Sequence, residues 1–285
     1  MPNILLVTDT TSTLSPAEAK KYNIECLPLS VIIDGKEYRD HIDMSAEELA
    51  AALKAGAIPT TSQPNIGAVE EAMKTWKKAN YDAIIIVTIS SFLSGTYQGF
   101  KLCAQSCEMD NVHVIDSGTV GAPMLDILLC AKKWIEAGVD LETILNHIEA
   151  KKKDTFSFLY PETLEQLKKG GRISSVAAGM ASLLKIKPLL SLEPGAECIE
   201  KFAMARTESK VFDLMVEEFK KRGVSASTHS FYIMEAEGME IAVRFANKLK
   251  ENFDDIDVQY VQLPAVLVSH AGLGCIAVQS CLRID

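Results

Sequence analysis

Residues 83–89, Ala83-Ile84-Ile85-Ile86-Val87-Thr88-Ile89, form an uncharged run dominated by β-branched side chains. Such a run lacks the in-out alternation of a half-exposed strand and fits a strand buried on both faces. Doubly buried strands occur where helices cover both sides of a parallel sheet, and the neighbouring pattern agrees. An apolar run at 4–8 is followed by Ser15-Pro16, an N-cap with proline in the first helical turn. Residues 26–33 read as one strand ending at the Asp34-Gly35 turn, and Ser45 caps a helix that Gly56 stops. Pro64-Asn65 opens a helix through Lys78, residues 112–115 repeat the buried-strand pattern, and a long helix follows over 121–137.

Near residue 150 the texture changes. Lys151-Lys152-Lys153-Asp154 reads as a solvated connection, so the expected domains are 1–155 and 156–285, both α/β. In the second domain, strands are expected at 156–160, 186–192, 199–205, 230–235 and 258–263. Helices are expected at 162–169, 176–184, 210–222 and 240–252. The fold class is therefore α/β, the first domain built on a mainly parallel sheet flanked by helices.

Composition narrows the function. Lys plus Arg number 29 against 38 Asp plus Glu, a formal charge of −9, and no basic stripe with interleaved aromatics offsets it. That surface repels phosphate backbones, so nucleic-acid binding is not expected. No apolar run approaches the roughly 18 residues of a membrane helix, and Met1-Pro2-Asn3 leads straight into the first strand without a basic n-region. A cytoplasmic location without stable membrane insertion is expected. The seven cysteines include no CxxC pair, which fits buried thiols and no metal site.

The usual catalytic signatures are missing: no GxSxG elbow, no HExxH and no Walker loop. Gly272-Leu273-Gly274-Cys275-Ile276-Ala277 matches GxGxxA but ends eight residues from the last residue, leaving no room for a dinucleotide unit. Asp9-Thr10-Thr11 lacks the second carboxylate a phosphotransferase would use and reads as a side-chain-to-backbone turn. Two hydroxyl-rich segments remain. Thr60-Thr61-Ser62-Gln63-Pro64 and Ser90-Ser91-Phe92-Leu93-Ser94-Gly95-Thr96-Tyr97 each lie between a strand and a helix. Loops at the carboxyl ends of parallel strands bind ligands, and helix N-termini favour anions. His270 is the one histidine flanked by small residues, in Ser269-His270-Ala271-Gly272. Arg172, between a glycine C-cap and a helix capped by Ser174, is placed to grip a phosphate or carboxylate.

These segments, with Lys168-Lys169-Gly170-Gly171-Arg172-Ile173 and His270-Ala271-Gly272-Leu273-Gly274, resemble the DegV family of bacterial fatty-acid-binding proteins in order along nearly the whole chain. Thr10 and Thr13 depart from the family's opening motif, and Leu273 stands where it usually has proline. The resemblance implies two α/β domains with a long-chain, palmitate-like fatty acid in a cleft between them and no cofactor. It implies that the hydroxyls of Thr61, Ser62 and Ser94 hold the carboxylate, with His270 close by, and Gly95 and Thr96 are counted with them as ligand-binding. It also implies a non-catalytic carrier that presents the acid to a fatty acid kinase for phospholipid synthesis. Arg172, beside Lys168 and Lys169 on a chain of net charge −9, is assigned from that cationic patch to the partner or phosphoryl step. The residues themselves allow a second reading, a serine-dependent acyl or phosphate hydrolase with Ser94 as nucleophile and His270 as base, although no third group to orient the histidine is evident. A tail of about 15 methylenes at ~0.8 kcal/mol each gains roughly 12 kcal/mol before ordering costs. The apolar stretch 179–192 could supply part of that lining.

Overall fold

The computed structural model describes residues 3–179 and 186–284. Its contacts divide the chain into two compact units, residues 1–152 with 264–266 and residues 153–263 with 267–285.

The first unit opens with β1 (Ile4–Asp9), a 3-10 turn (Thr10–Ser12), α1 (Pro16–Tyr22) and β2 (Ile24–Leu27). Next come β3 (Ser30–Ile33), β4 (Lys36–Arg39), α2 (Ala46–Lys54), β5 (Thr60–Ser62) and α3 (Ile66–Ala79). It ends with β6 (Ala83–Thr88), α4 (Thr96–Ser106), β7 (Val112–Asp116), α5 (Ala122–Glu136) and α6 (Leu141–Lys153). A wholly parallel sheet runs β2-β1-β6-β7. Every residue of β6 is buried, as its uninterrupted apolar run requires. Ile84 and Ile86 pack with Met73 and Trp76 of α3 and Phe100 of α4, while α5 contacts β1 and β6.

Three sequence expectations in this unit are corrected. Residues 26–33 are two strands: Leu27 ends β2 beside Asp9 in the parallel sheet, and Ser30 begins β3 in a separate antiparallel sheet of order β4-β3-β5. Pro28, which has no N–H to give a ladder, stands at the break. Thr60–Ser62 does not lie between a strand and a helix but is itself a strand, β5, antiparallel to β3 with Thr61 opposite Val31 and Ser62 opposite Ser30. Lys151-Lys152-Lys153 is not a solvated connection but the last turn of α6, a helix the pattern did not announce. Lys151 is 1% exposed because its Nζ lies 2.6 Å from Asp126 Oδ2 on α5.

The second unit contains β8 (Thr155–Tyr160), α7 (Glu165–Gly170), α8 (Ser175–Gly179), β9 (Lys187–Leu192) and β10 (Glu200–Ala205). Then follow α9 (Glu208–Lys221), β11 (His229–Ala236), α10 (Met239–Lys250), β12 (Val258–Gln262), α11 (Ala265–Ala271) and β13 (Cys275–Leu282). The first turn of α11 groups with the first unit. The expected helix over 176–184 is seen as α8, and its remainder lies outside the described residues. The sheet runs β10-β9-β8-β13-β11-β12 and is antiparallel except for β11 with β12. Its two faces separate neighbours in sequence: Leu189 joins the core with α9 and α10, and Leu190 packs with Leu167 and Ala177. Edge-to-face phenylalanines link the larger core, Phe156 to Phe158 at 4.7 Å, Phe158 to Phe219 at 5.3 Å and Phe219 to Phe231 at 5.5 Å. Such pairs add about 0.5–1.5 kcal/mol each beyond their buried area.

Candidate functional site

The loop between β6 and α4 carries Ser90 to Gly95 at the carboxyl edge of the parallel sheet. It is folded on itself, with the amides of Leu93 and Ser94 donating to Ser90 O at 2.9 and 3.2 Å. Ser94 is half-buried, Thr96 fully so, and their hydroxyls are 2.9 Å apart. The Thr96 amide also points at Ser94 Oγ, at 3.4 Å. Ser94 thus stands just ahead of α4, its Oγ at the first turn, where helix N–H groups and the dipole favour a negative charge. Gly95 occupies the N-cap position and supplies no side-chain cap. A Cβ there would lie 2.5 Å from Gln63 Oε1, so glycine lets the β5–α3 linker close against the β6–α4 loop.

Thr61 and Ser62 lie at the end of β5, immediately before Gln63. Ser62 Oγ makes a long contact with Glu37 Oε1 on β4, 3.4 Å. Neither caps α3. Asn65 does, its Oδ1 accepting from the Ala68 amide at 3.2 Å. The approach of Gln63 to Gly95 therefore links the two hydroxyl-bearing segments, and the α3 cap falls to Asn65.

Asp9 was legible only as a turn residue, and it is one: its carboxylate accepts from the Thr11 amide at 2.9 Å and from the Thr11 hydroxyl. It also accepts from the Ile89 amide at 3.0 Å, which ties it to the Ser94 loop. Burial pushes its pKa up to about 6 against the hydrogen bonds from Thr11 and Ile89 that favour its charge. Asp116, at the end of β7, accepts from the Ser91 and Gly118 amides at 3.1 and 3.0 Å. The available signal for both was an aspartate immediately after a short buried-strand run.

In the second unit, His270 lies in the last turn of α11 and not in a glycine loop. Its ring rests on Gly170, where a Cβ would meet Nδ1 at 2.2 Å. Arg172 Nη1 donates to Gly170 O at 2.6 Å, so the Gly170-Gly171-Arg172 turn brings two of the predicted residues together. Gly171 makes this possible in the left-handed region, φ 68°, as the C-cap of α7, and Ser174 caps α8 through the Ala177 amide at 3.2 Å. Burial, and secondarily the Arg172 charge, push the His270 pKa down to about 4, leaving the imidazole neutral near pH 7. Among the described residues no group of three or more His, Cys, Asp or Glu side chains could hold a metal ion. No helix among them is long and apolar enough to cross a membrane.

The fold defines the class: an α/β protein of two units, one on a parallel four-stranded sheet and the other on a mixed six-stranded sheet. The family model described as uncharacterised protein, DegV family, matches residues 3–283, and the chain belongs to the DegV family. A DegV domain-containing protein of Halalkalibacterium halodurans is 31% identical over 277 residues, covering 97% of both chains. A solved DegV family protein from Thermus thermophilus, described as fatty acid binding, matches with a TM-score of 0.89 and 28% identity over 99% of this chain and 100% of that one. DegV of Bacillus subtilis, described as a fatty acid binding protein, matches with a TM-score of 0.86 and 27% identity over the same shares.

Proposed function

We propose that this protein binds a long-chain fatty acid and acts as a non-catalytic carrier. The carboxylate is held by Thr61, Ser62, Ser94, Gly95 and Thr96, and His270 contributes to binding. The observation that carries the reading is the paired Ser94 and Thr96 hydroxyls at the start of α4, in a chain matched end to end by two DegV proteins described as fatty acid binding. Hydroxyl and amide donors to a charged carboxylate contribute about 1.5–3 kcal/mol each, enough to orient an acid without a metal or a general base. Mass spectrometry of an organic extract of the purified protein should reveal a saturated or monounsaturated acid in near-stoichiometric amount. An extract without fatty acid, from protein that also takes up none when offered, would overturn the reading.

The finer part of the proposal is presentation of the bound carboxylate to a fatty acid kinase. Arg172 supports it: the residue is half-buried, hydrogen-bonded to its own turn and flanked by the exposed Lys168 and Lys169. A cationic turn on a chain of net charge −9 suits an acidic partner or a nucleotide phosphate. Arg172→Ala should bind fatty acid nearly normally and lose most acyl-phosphate formation with the cognate kinase. Loss of fatty acid binding in Arg172→Ala, or normal turnover, would contradict that role.

A further inference from the structure

The Ser94 loop leaves the sheet at a point where its neighbours have already turned away. In register, Thr8 of β1 faces Val87 and Asp116 of β7 faces Thr88, so Asp9 and Asp116 both stand level with the last residue of β6. After them the chain enters the Thr10–Ser12 turn on one side and the Gly118-Thr119 bend on the other. The next amides of the β6 strand line therefore lose their ladder partners in β1 and β7. Side chains and a distant carbonyl replace them. Ile89 N donates to Asp9 Oδ2 at 3.0 Å, Ser90 N to Thr119 O at 2.9 Å, and Ser91 N to Asp116 Oδ1 at 3.1 Å. Each carboxylate is itself anchored, Asp9 by the Thr11 amide and hydroxyl, Asp116 by the Gly118 amide. Three successive amides of the loop are thus held from both flanking strands. From there Leu93 and Ser94 fold back onto Ser90 O and deliver Ser94 Oγ to the first turn of α4.

We infer that Asp9 and Asp116 are positioning residues for ligand binding, a two-sided carboxylate clamp that sets where Ser94 Oγ meets the fatty acid carboxylate; this rests on the assignment of Ser94 to the ligand. The clamp acts through hydrogen-bond geometry. A carboxylate that is itself anchored, fully buried at Asp9 and half-buried at Asp116, holds the loop amides more rigidly than water does. Because the effect reaches the ligand only through Ser94, it must vanish when Ser94 cannot donate.

The test is titration of the fluorescent C18 polyene cis-parinaric acid into the full-length protein. Variants are Ser94→Ala, Asp116→Ala, Asp116→Asn, the double Ser94→Ala/Asp116→Ala, and Asp9→Asn where it folds. Asp140→Ala, which removes a similar carboxylate contact to the Thr143 amide at the start of α6, is the control. Asp116→Ala should weaken binding roughly tenfold, as expected for loss of about one charge-assisted hydrogen bond. Asp116→Asn, which keeps an acceptor oxygen, should recover most of that loss, and Asp140→Ala should bind normally. The double variant should bind no worse than Ser94→Ala. Normal binding by Asp116→Ala, or additive losses in the double variant, would overturn the clamp while leaving the carboxylate assignment standing. Normal binding by Ser94→Ala would instead overturn that assignment.

Discussion

Replacing Lys151 by methionine keeps the aliphatic stem and removes only the ammonium, so it isolates one buried charge. In the native protein that ammonium is 2.6 Å from Asp126 Oδ2, with side-chain exposures of 1% and 11%. It also reaches the thiol of Cys130 on the same helix as Asp126. Lys151→Met leaves the Asp126 carboxylate between α5 and α6 without its counter-ion, and breaking a buried pair from one side costs about 3–5 kcal/mol. For a chain somewhat longer than 250 residues that loss lowers the melting temperature by roughly 10 °C, at about 2–4 °C per kcal/mol. Equilibrium urea unfolding followed by tryptophan fluorescence reads it locally. Both tryptophans lie in the first unit, and Trp134 of α5 packs against His147 of α6 with ring centroids 4.8 Å apart. The midpoint should fall at unchanged slope. Lys151→Met combined with Asp126→Leu should regain most of the loss, because two apolar partners of suitable volume replace a buried ion pair at little cost. A single variant within about 0.5 kcal/mol of wild type would mean that the buried pair matters no more than an ordinary surface contact.

Other outcomes follow from the same physics. Asp9 holds its proton more tightly in the folded state, so between pH 3.8 and about 6 stability should fall as pH rises, by about 3 kcal/mol from this group. Asp9→Asn should remove that slope when unfolding is compared across the window, and an unchanged slope would contradict the assignment. His270 behaves oppositely. With its pKa lowered to about 4, it should cost stability as pH falls from 6.5 towards 4, and an NMR titration placing it at 6 or above would contradict its burial. Gly170→Ala should displace the His270 ring, because the new Cβ would lie 2.2 Å from Nδ1, and should cost about 1–3 kcal/mol as overpacking does. A variant with wild-type stability would show that the ring moves aside freely.

The parallel sheet was legible because its strands have a simple cause. A strand buried on both faces, such as β6, must be apolar throughout, and no partner elsewhere in the chain changes that. What escaped the sequence depended on partners far along the chain. β13 joins β8 to β11 at the centre of the six-stranded sheet, yet its Gln279 and Ser280 interrupt the apolar pattern. Gln279 is fully buried, and its Nε2 donates to Ser157 Oγ at 2.8 Å, a partner 122 residues away. Lys151 read as solvated for the same reason: the carboxylate that buries it is on another helix. At the candidate site, Ser94, Thr61, Ser62, His270 and Arg172 stood out by residue type and local spacing. The coupling of Ser94 to Asp9 and Asp116 did not, since it exists only once three strands end side by side. Residues 26–33 were misjudged despite a local signal, Pro28, which separates two strands of different sheets.

If the proposed function holds, the protein recognises a long-chain acid by its carboxylate and not merely by its tail. Isothermal titration of the delipidated protein with palmitic acid and with hexadecanol, matched in chain length, separates the two contributions. The acid should bind saturably at one to one and the alcohol should bind at least about tenfold more weakly, the equivalent of one lost charge-assisted hydrogen bond. Equal affinity for acid and alcohol, or no saturable binding of either, would contradict recognition by the carboxylate.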